Sequence, residues 1–124
     1  MDESCPFCKP IASDVVLQNS FCYVRYDGFP VSPGHLLIVP FRHEASFFGL
    51  RPEEREAGME LVVRGKELLE EQRRPDGFNI GINIGQAAGQ TIWHAHVHLI
   101  PRYRGDIDNP RGGVRGVIPW KRTY

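Results

Sequence analysis

The stretch TIWHAHVHLIP, residues 91–101, carries three of the five histidines of the chain, and they stand at every second position. Successive side chains of a β-strand point to opposite faces, so this alternation predicts a strand with His94, His96 and His98 on one face. At about 3.3 Å of rise per residue, the imidazoles would lie roughly 6–7 Å apart. Three histidines in one row indicate a chemical site. The positions between them would face a core: Trp93, Ala95, Val97 and Leu99.

Length and charge indicate the general class of protein. The 124 residues suffice for a single domain with one modest core. Fifteen basic and fifteen acidic residues leave no net charge, which argues against a general binder of nucleic acids or membranes. No apolar run approaches the roughly 20 residues that span a bilayer. The acidic start, MDES, is unlike a signal peptide, so we expect a soluble cytoplasmic protein.

Four further segments have the composition of strands. Residues 15–17 and 20–26 are predicted to be two short strands, and the apolar residues 35–39 a third. In residues 78–84, phenylalanine or isoleucine alternates with asparagine or glycine, which predicts a half-buried strand. A loop over residues 86–90 would join that strand to the histidine strand as an antiparallel hairpin.

Residues 52–73 have the periodicity of a long helix. Pro52 suits the first turn, and Glu53 and Glu54 face the positive end of the helix dipole. Its other charges are interpreted as a solvated face. Apolar and small residues keep the spacing of a buried stripe, and the two glycines among them predict close packing against the sheet: Gly58, Leu61, Val62, Gly65, Leu68 and Leu69.

Cys5-Pro6-Phe7-Cys8 has three open interpretations: a redox pair, half of a zinc site, or an accident of composition. A redox pair of the thioredoxin kind should follow a buried strand, whereas this motif stands near the terminus. A zinc ion would need two further ligands, which histidines can supply. Cys22 lies within a strand pattern and is expected to be a small buried apolar residue.

Further motifs accompany the histidines. The sequence Gly89-Gln90-Thr91 precedes the triad, and Asp27, Pro33-Gly34-His35, Pro40-x-x-His43 and Asn83 lie upstream. Together they resemble the histidine triad (HIT) superfamily of nucleotide hydrolases and transferases, over about residues 5–102. In the basic, glycine-rich tail, residues 103–124, the segments RYRGD (which begins at Arg102) and PRGGVR look like a bacterial subgroup often described as diadenosine polyphosphate hydrolases.

The resemblance implies the fold and the assembly. The fold would be α+β and HIT-like: an antiparallel sheet of about five strands with one long helix and a shorter one. Residues 1–124 would form a single HIT domain, with its core in 5–102. Two copies would form a homodimer whose sheets join into a larger sheet, which suits a short chain because a small core is marginal.

The resemblance also implies catalytic roles. The middle histidine, His96, would attack the α-phosphate and become nucleotidylated, and water would then hydrolyse the intermediate. A neutral imidazole suits this step, because a pKa of about 6.5 leaves it mostly unprotonated at pH 7. His98 would bind phosphate and could donate a proton to the leaving group, while His35 would support His96 from a buried position.

The nucleotide would be held from several sides. Backbone amides of residues 85–90 would bind phosphate oxygens, together with three side chains: Asn83, Gln90 and Thr91. Asp27 occupies the position where the family binds the ribose diol, and Phe7 and Tyr26 would form walls for the base. The expected substrate is a mononucleoside or dinucleoside polyphosphate such as diadenosine tetraphosphate.

Alternatives remain open at this point. Within the nucleotide enzymes, the activity could be that of an adenosine phosphoramidate hydrolase or of a dinucleoside polyphosphate phosphorylase. A different class treats the three histidines as a metal site, in a zinc hydrolase or a non-nucleotide metal-binding module. Strand spacing strains three imidazoles onto one ion, which disfavours that class.

A structural zinc ion is also expected. Some members of the superfamily carry one that draws on the first triad histidine, and Cys5 and Cys8 stand where their cysteines do. The catalytic roles above use the other three histidines, which leaves His43 and His94 as the remaining ligands. Two thiolates and two imidazoles make a closed tetrahedral site. The alternative is a reduced cysteine pair that holds no metal.

Overall fold

One antiparallel sheet organises the protein, which a computed structural model describes over residues 4–124. The five strands are β1 (Leu17–Gln18), β2 (Cys22–Tyr26), β3 (Leu36–Pro40), β4 (Gly77–Gly81) and β5 (Val97–Arg102). They lie in the order β1-β2-β3-β5-β4, and one long helix, α1 (Pro52–Arg73), packs on one face. The predicted α+β fold is confirmed. Residues 1–3, which bear on the signal-peptide expectation, lie outside the described part.

Helix α1 has the bounds that the sequence predicts. Proline stands at its first position, where a missing N–H removes no helix hydrogen bond, and Arg74 ends it with a left-handed backbone. A Cβ on Gly65 would lie 3.2 Å from the Leu99 side chain, so this glycine lets α1 approach the sheet closely. Gly58 has more room, with its nearest neighbouring atom 3.9 Å from such a Cβ.

Two apolar clusters lie on opposite faces of the sheet, because alternate residues of β2 and β3 point to opposite sides. Cys22 belongs to the cluster under α1, and burial raises the pKa of its thiol to about 12, as expected for a residue that serves as a small apolar side chain. The cluster under α1 includes Val24, Leu36, Ile38, Leu61, Leu69 and Leu99. The cluster on the other face consists of Phe7, Tyr23, Leu37 and Val39.

The histidine stretch is a strand only in its second half, contrary to the prediction for residues 91–101. Strand β5 begins at Val97, so His98 alone of the three histidines is paired in the sheet. The N–H of Ala95 donates instead to the carbonyl oxygen of Glu44, at 2.7 Å. This bond ties the first half of the stretch to the loop after β3.

The departure from strand geometry separates the histidines. Trp93, expected in the core, is 49% exposed, whereas His94 is fully buried. His96 stays beside His98, with 5.1 Å between the ring centroids. Strand β4 is likewise shorter than predicted, and the connection to β5 runs over residues 82–96 instead of 86–90.

The remaining helical segments within residues 4–124 are 3-10 turns of three to five residues, so the shorter helix of the expected fold is present only in this form. Two of these turns, Gly113–Val117 and Pro119–Lys121, lie in the basic, glycine-rich tail. Over the same residues, no helix is long and apolar enough to cross a membrane.

Glu54 departs from the solvated face predicted for the charges of α1. It is 2% exposed and accepts hydrogen bonds from the Arg42 guanidinium, the shortest at 2.8 Å, and from the N–H of Arg51 at 2.7 Å. The Arg42 donors hold the pKa of the Glu54 carboxyl below its ordinary value. Periodicity cannot predict this pairing, because Arg42 lies outside the helix.

We expect Glu54→Gln to lower the free energy of unfolding by about 2 kcal/mol at pH 7, because a neutral amide loses the charge-assisted bonds. The pKa of Glu54 is lowered by folding, so its contribution is present above the unfolded-state pKa and is lost as pH falls through the folded-state pKa. Urea unfolding at several pH values measures both effects. Glu70→Gln, at an exposed position of the same helix, is the control, and equal losses in the two variants would contradict this account.

Candidate active site

Hydrogen bonds to the backbone fix the tautomer of His96. Its Nδ1 lies 2.8 Å from the carbonyl oxygen of His94, and a carbonyl can only accept, so Nδ1 carries the proton. Nε2 of the neutral ring therefore has a free lone pair. This nitrogen can act as a nucleophile without a separate general base.

A chain of hydrogen bonds orients His98 in the same way. The N–H of Val31 donates to Nδ1 of His35 at 3.0 Å, which leaves the proton of the neutral His35 ring on Nε2. That Nε2 donates to Nδ1 of His98 at 2.9 Å. Nε2 of the neutral His98 ring then carries a hydrogen. His98 thus presents an N–H beside His96, and His35, 2% exposed, supports His98 more directly than His96.

Burial keeps this pair of histidines neutral. Burial and the neighbouring His96 and His35 lower the pKa of His98 to about 4. Burial also lowers the pKa of His35, against the opposing effect of Asp27. At neutral pH, His98 is therefore a donor of hydrogen bonds rather than a cation.

A cleft of about 400 Å³ opens beside these histidines on the sheet face opposite α1. Its lining runs from Phe7 and Arg25 at β2, over Leu37 of β3 and His98 of β5, to Asn83 just beyond β4. The lining also includes Asp27, Gln90, Thr91 and Ile92. A larger groove between Phe21 and α1 has carboxylates as its ionisable groups and no histidine among its lining residues.

Asp27 lies beside the chain of hydrogen bonds that runs from Val31 through His35 to His98. One carboxylate oxygen accepts from the N–H of Phe29 at 2.8 Å. The other lies 3.4 Å from Nε2 of His35 and 3.9 Å from Nδ1 of His98. The carboxylate is thus fixed in place beside His35 and His98, and the side chain is 16% exposed.

His94 belongs to a second cluster on the far side of His96. Its Nδ1 lies 3.4 Å from Sγ of Cys5, 3.5 Å from Sγ of Cys8 and 3.2 Å from Nδ1 of His43. Sγ of Cys8 lies 3.0 Å from Nδ1 of His43, and all four ligand atoms lie within 4.8 Å of one another. Tetrahedral zinc, with bonds of about 2.0–2.3 Å, spaces its ligand atoms about 3.3–3.8 Å apart. The four residues fit such an ion.

A backbone contact prepares His94 as a ligand. Its Nε2 donates to the carbonyl oxygen of Pro40 at 2.7 Å, which leaves Nδ1 without a proton and directed at the cysteines. The cysteine motif also contacts His96, because the ring of Phe7, between the two cysteines, stands edge-on to the His96 ring with 5.2 Å between centroids. The position of His96 therefore depends on the cysteine motif.

Comparison with known proteins assigns the chain to a family. The sequence profile of the HIT domain matches residues 9–105. The chain belongs to the HIT family. Among its relatives, AP-4-A phosphorylase from Mycobacterium tuberculosis is 34% identical over 95 residues, which are 76% of this chain and 49% of the relative. Adenylylsulfatase HINT3 from Arabidopsis thaliana is 32% identical over 110 residues, 86% of this chain and 56% of the relative. This HIT chain spans about half the length of each.

A solved structure with the same fold contains a metal. The crystal structure of a Zn-bound histidine triad family protein from Mycobacterium smegmatis has a TM-score of 0.74 and 31% sequence identity, and the match covers 83% of this chain and 78% of that one. The HIT fold of the present chain is thus shared with a zinc-containing relative.

The side-chain amide of Gln90 bonds to three backbone groups around the cleft of this HIT domain. Its oxygen accepts from the N–H of Gly85 at 2.9 Å, and its nitrogen donates to the carbonyl oxygens of Ala45 at 2.7 Å and Ile92 at 3.0 Å. The residue is 4% exposed. Gln90 therefore shapes the 85–90 loop, with its amide bonded to backbone groups where the sequence predicts a contact to phosphate.

We expect Gln90→Leu to lower the free energy of unfolding by about 2–3 kcal/mol, because three partly buried backbone groups lose their partner. KM should rise more than kcat falls, since the loop that lines the cleft loosens. Gln86→Leu, at an exposed position in the same loop, is the matched control and should leave both quantities near wild type. Denaturant unfolding together with steady-state kinetics measures them, and a stable Gln90→Leu protein would contradict the assignment.

Strand alternation separates Tyr26 from Phe7, the other predicted base contact. Arg25 and Asp27 flank it on the cleft face, so Tyr26 points to the helix side, where its hydroxyl lies 3.3 Å from Oε1 of Gln72. Phe7 does line the cleft. Sequence reasoning missed Arg25, although the two-residue spacing from Asp27 places both on one face.

Proposed function

We propose that this HIT protein cleaves a phosphoanhydride bond at the α-phosphate of a mononucleoside or dinucleoside polyphosphate, such as diadenosine tetraphosphate. The observation that carries the proposal is the hydrogen bond from Nδ1 of His96 to the His94 carbonyl oxygen. It presents an unprotonated Nε2 in a cleft large enough for a nucleotide. The family assignment supports nucleotide chemistry at this site.

The reaction would proceed in two displacements. Nε2 of His96 attacks the α-phosphorus, a P–N bond forms, and the P–O bond to the leaving phosphate breaks. A water molecule then attacks the same phosphorus, the P–N bond breaks, and a nucleoside monophosphate leaves with His96 restored. Nε2–H of His98 donates a hydrogen bond to the phosphoryl oxygens and stabilises the charge that builds up on them.

The remaining cleft residues would bind the two ends of the nucleotide. Asp27 would accept from the ribose hydroxyls, and Phe7 would form an apolar wall for the base. Asn83, Thr91 and the amides of residues 85–90 would hold phosphate oxygens. Their presence in the lining of one cleft supports these assignments.

The leaving group and the final acceptor distinguish the alternative nucleotide activities. The names of the two relatives refer to a phosphorylase of AP-4-A and to an adenylylsulfatase. Turnover of diadenosine tetraphosphate, diadenosine triphosphate and adenosine phosphoramidate, each with and without inorganic phosphate, tests them. We expect the tetraphosphate to be hydrolysed fastest and added phosphate to leave the product unchanged. Nucleoside diphosphate formed from added phosphate would instead establish a phosphorylase.

A structural zinc ion is part of the proposal, held by Cys5, Cys8, His43 and His94. The ligand spacing and the unprotonated Nδ1 of His94 support it, as does the Zn-bound relative. A catalytic metal bound by all three triad histidines is disfavoured, because the ligand nitrogen of His94 faces the cysteines. The ion would fix the N-terminal segment and the position of His94.

We further propose a homodimer. Strands β1 and β4 form the two edges of the sheet, and β1 is only two residues long, so β4 is the edge suited to continue the sheet into a second copy. Sedimentation at micromolar concentration tests the dimer, and a stable monomer would exclude it. The cytoplasmic location stays a prediction.

A further inference from the structure

Arg25 is the one lysine or arginine that lines the cleft within residues 4–124. It stands directly opposite Leu37 of β3, and Leu37 stands opposite His98 of β5. Two interstrand spacings, about 10 Å, therefore separate the backbones of Arg25 and His98. A nucleoside lying across the sheet from an α-phosphate at His98 would bring its base to Arg25.

The surroundings of Arg25 are those of a base-binding end. Its guanidinium carbon lies 5.3 Å from the centre of the Phe7 ring, and Ile92 packs against the same apolar cluster. Nη1 donates to the carbonyl oxygen of Pro6 at 3.3 Å, and Nη2 lies 3.8 Å from the Asp14 carboxylate. These contacts hold a cation with several N–H donors against an apolar wall, while the side chain stays 20% exposed.

We propose that Arg25 reads the base of the nucleotide and makes this enzyme prefer guanine over adenine. A guanidinium offers donors only, and guanine presents two adjacent acceptors, O6 and N7, to which arginine donates in pairs. Adenine presents N7 beside an amino group, which cannot accept. The inference rests on the nucleotide function proposed above and adds the identity of the base.

The alternative partner for Arg25 is a distal phosphate of the substrate. Asn83, a proposed phosphate contact, follows β4, on the other side of β5 and His98 from Arg25 on β2. The arrangement therefore favours the base. Arg25→Leu separates the two partners, because loss of a base contact changes the ratio between bases whereas loss of a phosphate contact weakens every substrate equally. Inosine shows which edge of the base is read, because it keeps O6 and N7 but lacks the 2-amino group of guanine.

The test compares kcat/KM for the tetraphosphates of diguanosine, diinosine and diadenosine. In the wild type, we expect kcat/KM for the guanine and inosine substrates to exceed that for the adenine substrate by roughly tenfold to a hundredfold. Arg25→Leu should reduce this ratio below about threefold, with Arg25→Lys in between, because an ammonium lacks the paired donors. Arg104→Leu, at a position whose side chain is 90% exposed, is the control for loss of a positive charge and should keep the wild-type ratio.

Binding of GMP, IMP and AMP by calorimetry keeps the test separate from that of the proposed function. The wild type should bind GMP and IMP more tightly than AMP, even if none of the tetraphosphates is turned over. This difference in affinity should disappear in Arg25→Leu. Equal affinity for the three nucleotides, or a preference for adenine, would overturn the proposal. If Arg25→Leu lowered kcat/KM for all three tetraphosphates by the same factor, Arg25 would be assigned to phosphate binding instead.

Discussion

His96→Ala should lower kcat by about 10⁴-fold or more while nucleotide binding stays within about threefold of wild type. The variant loses the atom that forms the covalent intermediate, and such a loss corresponds to roughly 5 kcal/mol of activation barrier. Binding persists because Asp27, Phe7 and the 85–90 loop are untouched. Steady-state kinetics with calorimetric titration of a nonhydrolysable nucleotide measures both quantities.

Trp93→Ala is the control for this experiment. Trp93 lies in the same segment before β5 and is 49% exposed, so its removal should leave kcat near wild type. If His96→Ala retained a tenth of the activity, His96 would not be the nucleophile. A collapse of nucleotide affinity in His96→Ala would instead indicate a binding role.

Cys8→Ser should release zinc and lower Tm by about 10 °C or more. Metal ligation contributes to folding directly, and for a domain of this size a few kcal/mol shift Tm by that amount. Cys22→Ala, at the third cysteine, removes a buried thiol outside the cluster and should keep its zinc. Elemental analysis of untagged protein together with calorimetry measures both changes.

The metal content decides whether the cluster is a zinc site or a reduced cysteine pair. Less than a few tenths of an equivalent of zinc in the wild type, unchanged by Cys5→Ser, would remove the site. In a protein that does hold zinc, Cys8→Ser should also reduce turnover in part, since Phe7 links the cysteines to the ring of His96. The covalent chemistry itself should survive.

The sequence predicts most strongly where local pattern decides the structure. The bounds of α1 follow from Pro52 and the apolar stripe, and the antiparallel pairing of β4 with β5 follows from their alternation. The alternation of the histidines overstates the strand, however. His94 leaves strand geometry because Ala95 bonds to Glu44, and a contact between residues so far apart in sequence has no local signal.

Other features of the site depend on three-dimensional proximity in the same way. The Gln90 amide forms hydrogen bonds with backbone groups of Gly85, Ala45 and Ile92, and only the folded chain brings these groups together. The hydrogen bond from His35 to His98, which leaves the proton of the His98 ring on Nε2, joins the residue before β3 to β5. Composition and spacing identify such residues, but the roles of Gln90 and His35 follow from their bonded partners.

The nucleotidyl-histidine intermediate tests the central claim most directly. Diadenosine tetraphosphate is mixed with the wild-type protein in the presence of a chelator, and the reaction is quenched within the first turnovers. The protein is then digested, and the masses of its peptides are measured by mass spectrometry. We expect the mass of one adenylate on the peptide of the triad, located on His96, and no such adduct in His96→Ala. Turnover without any adduct, or an adduct on His98, would contradict the mechanism.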